Sequence, residues 1–134
     1  MSPVLVDSNV ILDIATEDEQ WMAWSADALA RCGESSVLVI NPLIYAEVSV
    51  GFDRIEDLDD TLPAGYFRRE ALPWDAACLA GKVFLRYREA GGPRRSPLPD
   101  FYIGAHAAVL RYPLLTRDAG RYRTYFSGLT LISP

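Results

Sequence analysis

Short, continuous apolar runs alternate along the chain with longer stretches in which apolar residues recur at helical spacing. A continuous run such as 37–40 is typical of a strand buried on both faces of a parallel sheet. The run at 67–72 is a weaker candidate, because three charged residues interrupt it. The pattern predicts strands over residues 4–6, 37–40, 67–72, 114–116 and 129–132.

Helical segments fill the gaps between these strands. Asn9 is the predicted cap of the first helix, Asn41 followed by Pro42 starts another, and Asp75 caps a long one. The predicted helices cover residues 9–14, 20–31 (closing at Gly33), 42–52, 54–62, 75–90, 100–111 and 119–126. Alternation of this kind favours a three-layer α/β/α sandwich with a mainly parallel central sheet of four or five strands.

Composition narrows the class of protein. A chain of 134 residues, half of them hydrophobic and 23% charged, suits one globular domain over 1–134. No apolar run approaches the roughly 20 residues that span a bilayer, and no basic region precedes the apolar residues of the N-terminus. Cys32 and Cys78 are too few for a metal quartet or a disulfide framework. We therefore expect a cytoplasmic protein with no membrane partner.

Charge is distributed unevenly. Residues 1–67 hold 13 acidic and two basic side chains, whereas residues 68–134 hold five acidic and 11 basic ones. Lys82 is the only lysine, and the planar guanidinium of the other basic residues matches phosphate oxygens. The asymmetry indicates an anionic partner for part of the surface, although the bias towards arginine is equally explained by genome composition.

Four acidic residues are candidates for a site, and two of them lie just beyond the carboxyl ends of strands, where ligands bind in open α/β sheets. Asp7 follows the first strand, Asp118 follows the strand at 114–116, and Asp100 begins a helix. Glu47 lies in mid-helix among apolar neighbours, where a carboxylate is costly unless something compensates it.

Carboxylates that share one cleft repel one another, by about 4 kcal/mol for a pair 4 Å apart at an effective dielectric constant near 20. Protons or a cation must relieve this repulsion, and ligands that are all oxygen favour Mg²⁺ or Mn²⁺. Such sites typically catalyse phosphoryl transfer or phosphodiester hydrolysis. A haloacid-dehalogenase-like phosphotransferase is the alternative, but it needs an acid where Asn9 stands.

Four motifs are spread over almost the whole chain: Val6-Asp7-Ser8-Asn9-Val10, Asn41-Pro42-Leu43-Ile44-Tyr45-Ala46-Glu47, Pro99-Asp100-Phe101-Tyr102-Ile103-Gly104-Ala105-His106-Ala107 and Leu115-Thr116-Arg117-Asp118. In this order they resemble the PIN domain, and in particular the VapC-type toxins of toxin–antitoxin pairs. The sequence departs from the family at Gly104, where a small alanine is usual. The resemblance implies a metal-dependent endoribonuclease that hydrolyses RNA, an antitoxin partner that blocks its site, and commonly a homodimer.

By matched position, the resemblance makes Asp7, Glu47, Asp100 and Asp118 the metal-binding acids, with Asn9 and Thr116 as polar residues that orient the acids or the attacking water. A binding module that keeps the fold without turnover remains an alternative.

Residues outside the motifs complete the predictions. Arg94 and Arg95, in the loop before Asp100, are candidates for holding an RNA backbone. His106 lies about 240° around its helix from Asp100, so we expect it to face away from the acids in a structural or surface role. Asp13 is expected to be a surface acid.

Overall fold

The computed structural model describes residues 1–92 and 98–134 and has a five-stranded sheet at its centre. All neighbouring strands pair in parallel, in the order β3-β2-β1-β4-β5. The elements in chain order are β1 (Ser2–Val6), α1 (Ser8–Ala15), α2 (Met22–Ser35), β2 (Ser36–Ile40), α3 (Pro42–Ser49), α4 (Ile55–Thr61), β3 (Phe67–Arg69), α5 (Trp74–Glu89), α6 (Leu98–Leu110), β4 (Leu114–Leu115), α7 (Gly120–Tyr125) and β5 (Leu131–Ile132).

Both faces of the sheet are covered. Successive side chains of a strand point to opposite faces, yet Leu5 and Val6 of β1 are both fully buried, as is Val39 of β2 beside the nearly buried Ile40. Helices must therefore pack on each side. The predicted three-layer architecture with a parallel sheet is confirmed.

Strand β3 is shorter than the predicted run over 67–72. Only Phe67–Arg69 pair with β2, and the side chains of Arg68 and Arg69 are exposed at the edge of the sheet. A short edge strand carrying charge resists pairing with another molecule, which accounts for both the weak sequence signal and the short strand.

Several predicted helix boundaries were wrong. Helix α3 ends at Ser49 instead of residue 52, and α6 begins at Leu98 instead of Asp100. Asp7, rather than Asn9, caps α1, and Pro73, rather than Asp75, precedes α5. Helix α2 continues through Gly33 to Ser35. Gly33 does not end the helix but admits a neighbour, since the phenol oxygen of Tyr66 lies 2.9 Å from where a Cβ would stand.

The structure explains the residue type at two helix positions, Asn41 and Gly104. Asn41 caps α3 as predicted, its side chain accepting from the backbone N–H of Ile44 at 2.9 Å. At Gly104 of α6, a Cβ would stand 2.6 Å from the ring of Phe126. The departure from the family's alanine therefore lets α6 and the end of α7 approach closely.

No helix among the described residues has the length and apolarity to cross a membrane.

Candidate active site

The parallel sheet brings the residues that follow β1 and β4 to one edge. The backbone N–H of Asp7 donates to the carbonyl of Leu115 at 2.9 Å, and the N–H of Thr116 donates to Ile132 at 3.0 Å. Asp7 and Thr116 thus lie side by side, and the Thr116 hydroxyl donates to Asp7 Oδ2 at 2.9 Å. The order of the strands in the sheet unites residues that are far apart in the sequence.

Asp7 is 3% exposed and is surrounded by donors. Besides Thr116, its carboxylate accepts from the N–H of Ser8 at 2.8 Å and from the phenol of Tyr122 at 2.9 Å. Burial nevertheless raises the pKa of Asp7 from 3.8 to about 6; the negative charge of Asp100 adds to the rise, and the hydroxyl donors oppose it. The folded protein therefore holds this carboxylate under electrostatic strain.

Asn9 lies in the first turn of α1 and connects the two strand ends. Its side-chain amide donates to the Thr116 hydroxyl at 3.1 Å, while its carbonyl oxygen accepts from the N–H of Arg117 at 3.2 Å. Because the Thr116 hydroxyl accepts from Asn9, its own proton is directed at Asp7. The two polar side chains thus fix the orientation of the Asp7 carboxylate.

Glu47 approaches this edge from α3 and is only partly buried, whereas its apolar neighbours in the sequence had suggested the buried side of the helix. The hydroxyl of Ser8 donates to Glu47 Oε1 at 2.9 Å and supplies the compensation that such a carboxylate requires. Burial still raises the pKa of Glu47, and the charge of Asp100 contributes to the rise.

Asp100, in the first turn of α6, forms an ion pair with Arg121 of α7, with 2.5 Å between Oδ2 and Nη1. Burial raises the pKa of the Asp100 carboxyl; Arg121 opposes the rise, and the charge of Asp118 adds to it. Asp118 itself is exposed. Repulsion of Asp100 by Asp118, and of Asp7 by Asp100, indicates that these acids share one electrostatic field.

The cleft formed here has a volume of about 240 Å³. Asp7, Asn9, Asp100 and Asp118 contribute to its lining, while Glu47 lies next to it through Ser8. The lining residues are Asp7, Ser8, Asn9, Asp100, Asp118, Arg121 and Tyr122.

The donor set of the cleft suits a hard divalent cation, because it consists of carboxylate and amide oxygens. The burial and mutual repulsion that raise the pKa values of Asp7 and Asp100 are what a cation would relieve. Over residues 1–92 and 98–134, however, no three His, Cys, Asp or Glu side chains are gathered closely enough to hold an ion. The residues therefore fit the ion chemically, and their side chains must shift to ligate it.

Three lining residues were absent from the sequence-based site: Ser8, Arg121 and Tyr122. Tyr122 is buried, and its hydroxyl contacts Asp7. Ser8 is adjacent to Asp7 in sequence, and this was the one available signal. Arg121 had no sequence signal, because its partner Asp100 is 21 residues away.

Asp13 is not the surface acid that was expected. Its side chain is 3% exposed, accepts from the Ser25 hydroxyl at 2.7 Å and pairs with Arg117 at 3.0 Å. Asp13 thus anchors the segment after β4 to α1 and α2 instead of serving the cleft.

His106 is structural and fully buried, away from the acids. Its Nδ1 lies 3.0 Å from the Asn41 amide, and its Nε2 lies 3.6 Å from Glu70 Oε1. Burial lowers the pKa of the imidazole against the opposing charge of Glu70. Arg94 and Arg95 lie outside the described residues, so their predicted contact with RNA stays a prediction.

Solved structures share this fold over nearly the whole chain. VapBC2 from Rickettsia felis, bound to a DNA fragment from their promoter, matches with a TM-score of 0.75 and 13% identity over 98% of both chains. VapBC-1 from nontypeable Haemophilus influenzae gives a TM-score of 0.72 and 17% identity, covering 98% of this chain and 97% of the other. A toxin–antitoxin complex from Klebsiella pneumoniae gives 0.70 and 22%, covering 96% and 95%.

Sequence comparison supplies the family. No curated protein matches the chain significantly. The family profile of the PIN domain matches residues 4–127, which include all four sequence motifs and every residue that lines the cleft. The chain belongs to the PIN domain family.

Proposed function

We propose that this protein is a metal-dependent endoribonuclease of the VapC type, the toxin of a toxin–antitoxin pair, acting in the cytoplasm as a single nuclease domain over residues 1–134. The observation that carries the proposal is the cleft at the sheet edge, where burial and the neighbouring charge of Asp100 raise the pKa of Asp7 to about 6. Carboxylates whose pKa is shifted by burial and by a neighbouring charge cluster at functional sites.

In this proposal Asp7, Glu47, Asp100 and Asp118 hold Mg²⁺ or Mn²⁺. The chemistry supplied by the bound ion is polarisation of the RNA phosphate and a lower pKa of the attacking water. Asp7 is the most firmly positioned of the four, since Ser8, Thr116 and Tyr122 all donate to it. Glu47 and Asp118 have fewer contacts and are free to adjust around the ion.

Asn9 and Thr116 act as positioning residues. The Asn9 amide and the Thr116 hydroxyl form a short chain that ends on Asp7 Oδ2. Loss of either donor changes the direction of the carboxylate without removing a charge. Asn9 also occupies the position at which a haloacid-dehalogenase-like enzyme needs an acid, which disfavours phosphotransfer through an aspartyl intermediate.

The partners are proposed as an RNA substrate, an antitoxin and a second copy of the chain. Solved complexes with this fold are described as VapBC or toxin–antitoxin complexes. An open, acidic cleft binds RNA only if cations offset its charge, and Arg94 and Arg95 before Asp100 are candidates for tracking the backbone.

Cleavage of a labelled single-stranded RNA tests the proposal. Purified protein is incubated with Mn²⁺, with Mg²⁺ or with excess EDTA, beside the Asp7→Asn variant and the control Asp53→Asn, which makes the same chemical change at an exposed position. We expect cleavage by the native protein and the control with metal only, and none by Asp7→Asn.

Three results would contradict the proposal. Cleavage that persists in EDTA or in Asp7→Asn would remove the metal-dependent mechanism. Stabilisation by Mn²⁺ without cleavage of any RNA would favour the silent binding module. Hydrolysis of a phosphate monoester with RNA left intact would favour the phosphotransferase.

A further inference from the structure

Arg121 puts a positive charge among the acids of the cleft. Its Nη1 lies 2.5 Å from Asp100 Oδ2, and both residues line the cleft. We propose, on the basis of the proposed nuclease function, that Arg121 is an internal counter-ion. It stays paired with Asp100 until a divalent ion displaces it, and the released guanidinium then binds a phosphate oxygen of the RNA.

The charge balance of the cleft is the first argument. Among the described residues of its lining, Asp7, Asp100 and Asp118 are acidic and Arg121 alone is cationic. Arg117, the other arginine near the end of β4, is paired with the buried Asp13. Arg121 therefore supplies the countercharge next to Asp100 and occupies a carboxylate that a metal ion would need.

The exposure of the pair is the second argument. The side chains of Arg121 and Asp100 are 38% and 33% exposed. Ion pairs that water reaches to this extent are weak and open easily. A divalent ion, with twice the charge, can therefore displace the guanidinium, whereas Thr116 and Tyr122 hold Asp7 in place from within the fold.

The third argument is that the ion pair is not needed to fasten α7 to the rest of the fold. Phe126, directly after α7, packs on Gly104 of α6, and Tyr122 of α7 is buried with its hydroxyl on Asp7. These contacts hold the helix, so Arg121 is free to move. Its planar fork of donors matches phosphate better than an ammonium group does.

Calorimetric titration with Mn²⁺, in the absence of RNA, tests the first half of the proposal. The native protein is compared with Arg121→Gln, Arg121→Lys and the control Arg123→Gln, an exposed arginine of the same helix whose side chain contacts Ser133. Removal of a positive charge close to a divalent ion should tighten Mn²⁺ binding about tenfold in Arg121→Gln. Arg121→Lys should bind like the native protein because it keeps the positive charge, and Arg123→Gln should do so because Arg123 does not line the cleft.

The second half is tested by cleavage kinetics at saturating Mn²⁺. We expect Arg121→Gln to raise KM for RNA at least fivefold, Arg121→Lys to fall between it and the native protein, and Arg123→Gln to change little. A purely structural role would instead lower the melting temperature of both Arg121 variants and leave Mn²⁺ affinity unchanged or weaker.

The outcomes separate this inference from the proposed function. Native Mn²⁺ binding and RNA cleavage with no tightening in Arg121→Gln would overturn the counter-ion alone. Mn²⁺ binding by Arg121→Gln but not by the native protein would support the counter-ion, since the arginine then blocks the site. Failure of every variant to bind Mn²⁺ would overturn both.

Discussion

The Asp7→Asn substitution should stabilise the metal-free protein above pH 7 while abolishing cleavage. The pKa of Asp7 is about 6 in the folded protein, against 3.8 ordinarily. A raised pKa means that the folded state binds the proton more tightly than the unfolded state. The carboxyl therefore favours folding below pH 4, and that contribution is lost as pH rises from about 4 to about 6.

The magnitude follows from the shift. One unit of pKa corresponds to about 1.36 kcal/mol, so ionisation of Asp7 costs the folded state about 3 kcal/mol at pH 8. Asparagine never ionises and avoids this cost. The gain in stability is reduced by altered hydrogen bonding. The hydroxyls of Thr116 and Tyr122 donate to Asp7 Oδ2, and in the variant an amide nitrogen would face them instead. Because a hydroxyl can also accept a hydrogen bond from the amide nitrogen, this change costs only about 1 kcal/mol of stability.

Urea denaturation in EDTA at pH 4 and pH 8 measures the effect. The stability of Asp7→Asn relative to the native protein should rise by about 2.5 kcal/mol between the two pH values, since the unfolded carboxyl is already partly ionised at pH 4, and the variant should be the more stable protein at pH 8. The pH-independent hydrogen-bond cost cancels from this difference. Asp53→Asn, the same change at an exposed position, should show no such rise.

A difference between Asp7→Asn and native protein that stays constant from pH 4 to pH 8 would refute the reasoning. Asp7 would then have an ordinary pKa in the folded state, and the raised pKa that supports the proposed metal site would be absent.

Three further predictions concern the same region. Mn²⁺ at about 100 times its dissociation constant should stabilise the native protein by about 2.7 kcal/mol and leave Asp7→Asn unchanged in a thermal-shift assay; equal shifts would contradict a site at Asp7. Tyr122→Phe removes a donor to the Asp7 carboxylate and should destabilise the protein by about 1–3 kcal/mol at pH 8 and less at pH 4, by urea denaturation; an equal loss at both would contradict it. Gly104→Ala should lower stability by about 1–3 kcal/mol despite its better helix propensity, because its Cβ meets the Phe126 ring at 2.6 Å; an unchanged or higher melting temperature would show that the ring moves aside.

Much of the fold could be predicted because its signals are local. The continuous apolar run at 37–40 indicated a strand buried on both faces, and Asn41-Pro42 indicated the start of α3; the structure has both. The helix boundaries that were wrong depend on distant contacts. Gly33 marked a helix end by composition, but it lies inside α2, where the absence of a side chain leaves room for the phenol of Tyr66.

The candidate site was predictable only as far as strand ends define it. Asp7 and Thr116 follow β1 and β4, so a parallel sheet necessarily puts them together. Arg121 is in the cleft because α7 packs beside α6, and Asp13 is buried because Arg117 and Ser25 fold over it. Side-chain pairing between helices has no short-range sequence pattern, so these contacts could not be foreseen.

At Asp7, the geometry that the candidate site needs therefore lowers the stability of the fold. The sheet edge that orients this carboxylate also buries it, and burial is the largest cause of its raised pKa. Neutral hydroxyl donors from Thr116 and Tyr122 reduce the cost but add no positive charge. Above pH 6, where Asp7 is mostly ionised, a nearby cation is needed to offset this cost, and the only cationic side chain in the described lining of the cleft, Arg121, contacts Asp100 instead of Asp7. If Asp7 and Asp100 help to hold a divalent ion, as proposed above, the charge of that ion would offset the repulsion at both carboxylates, and binding it should raise the stability of the folded protein.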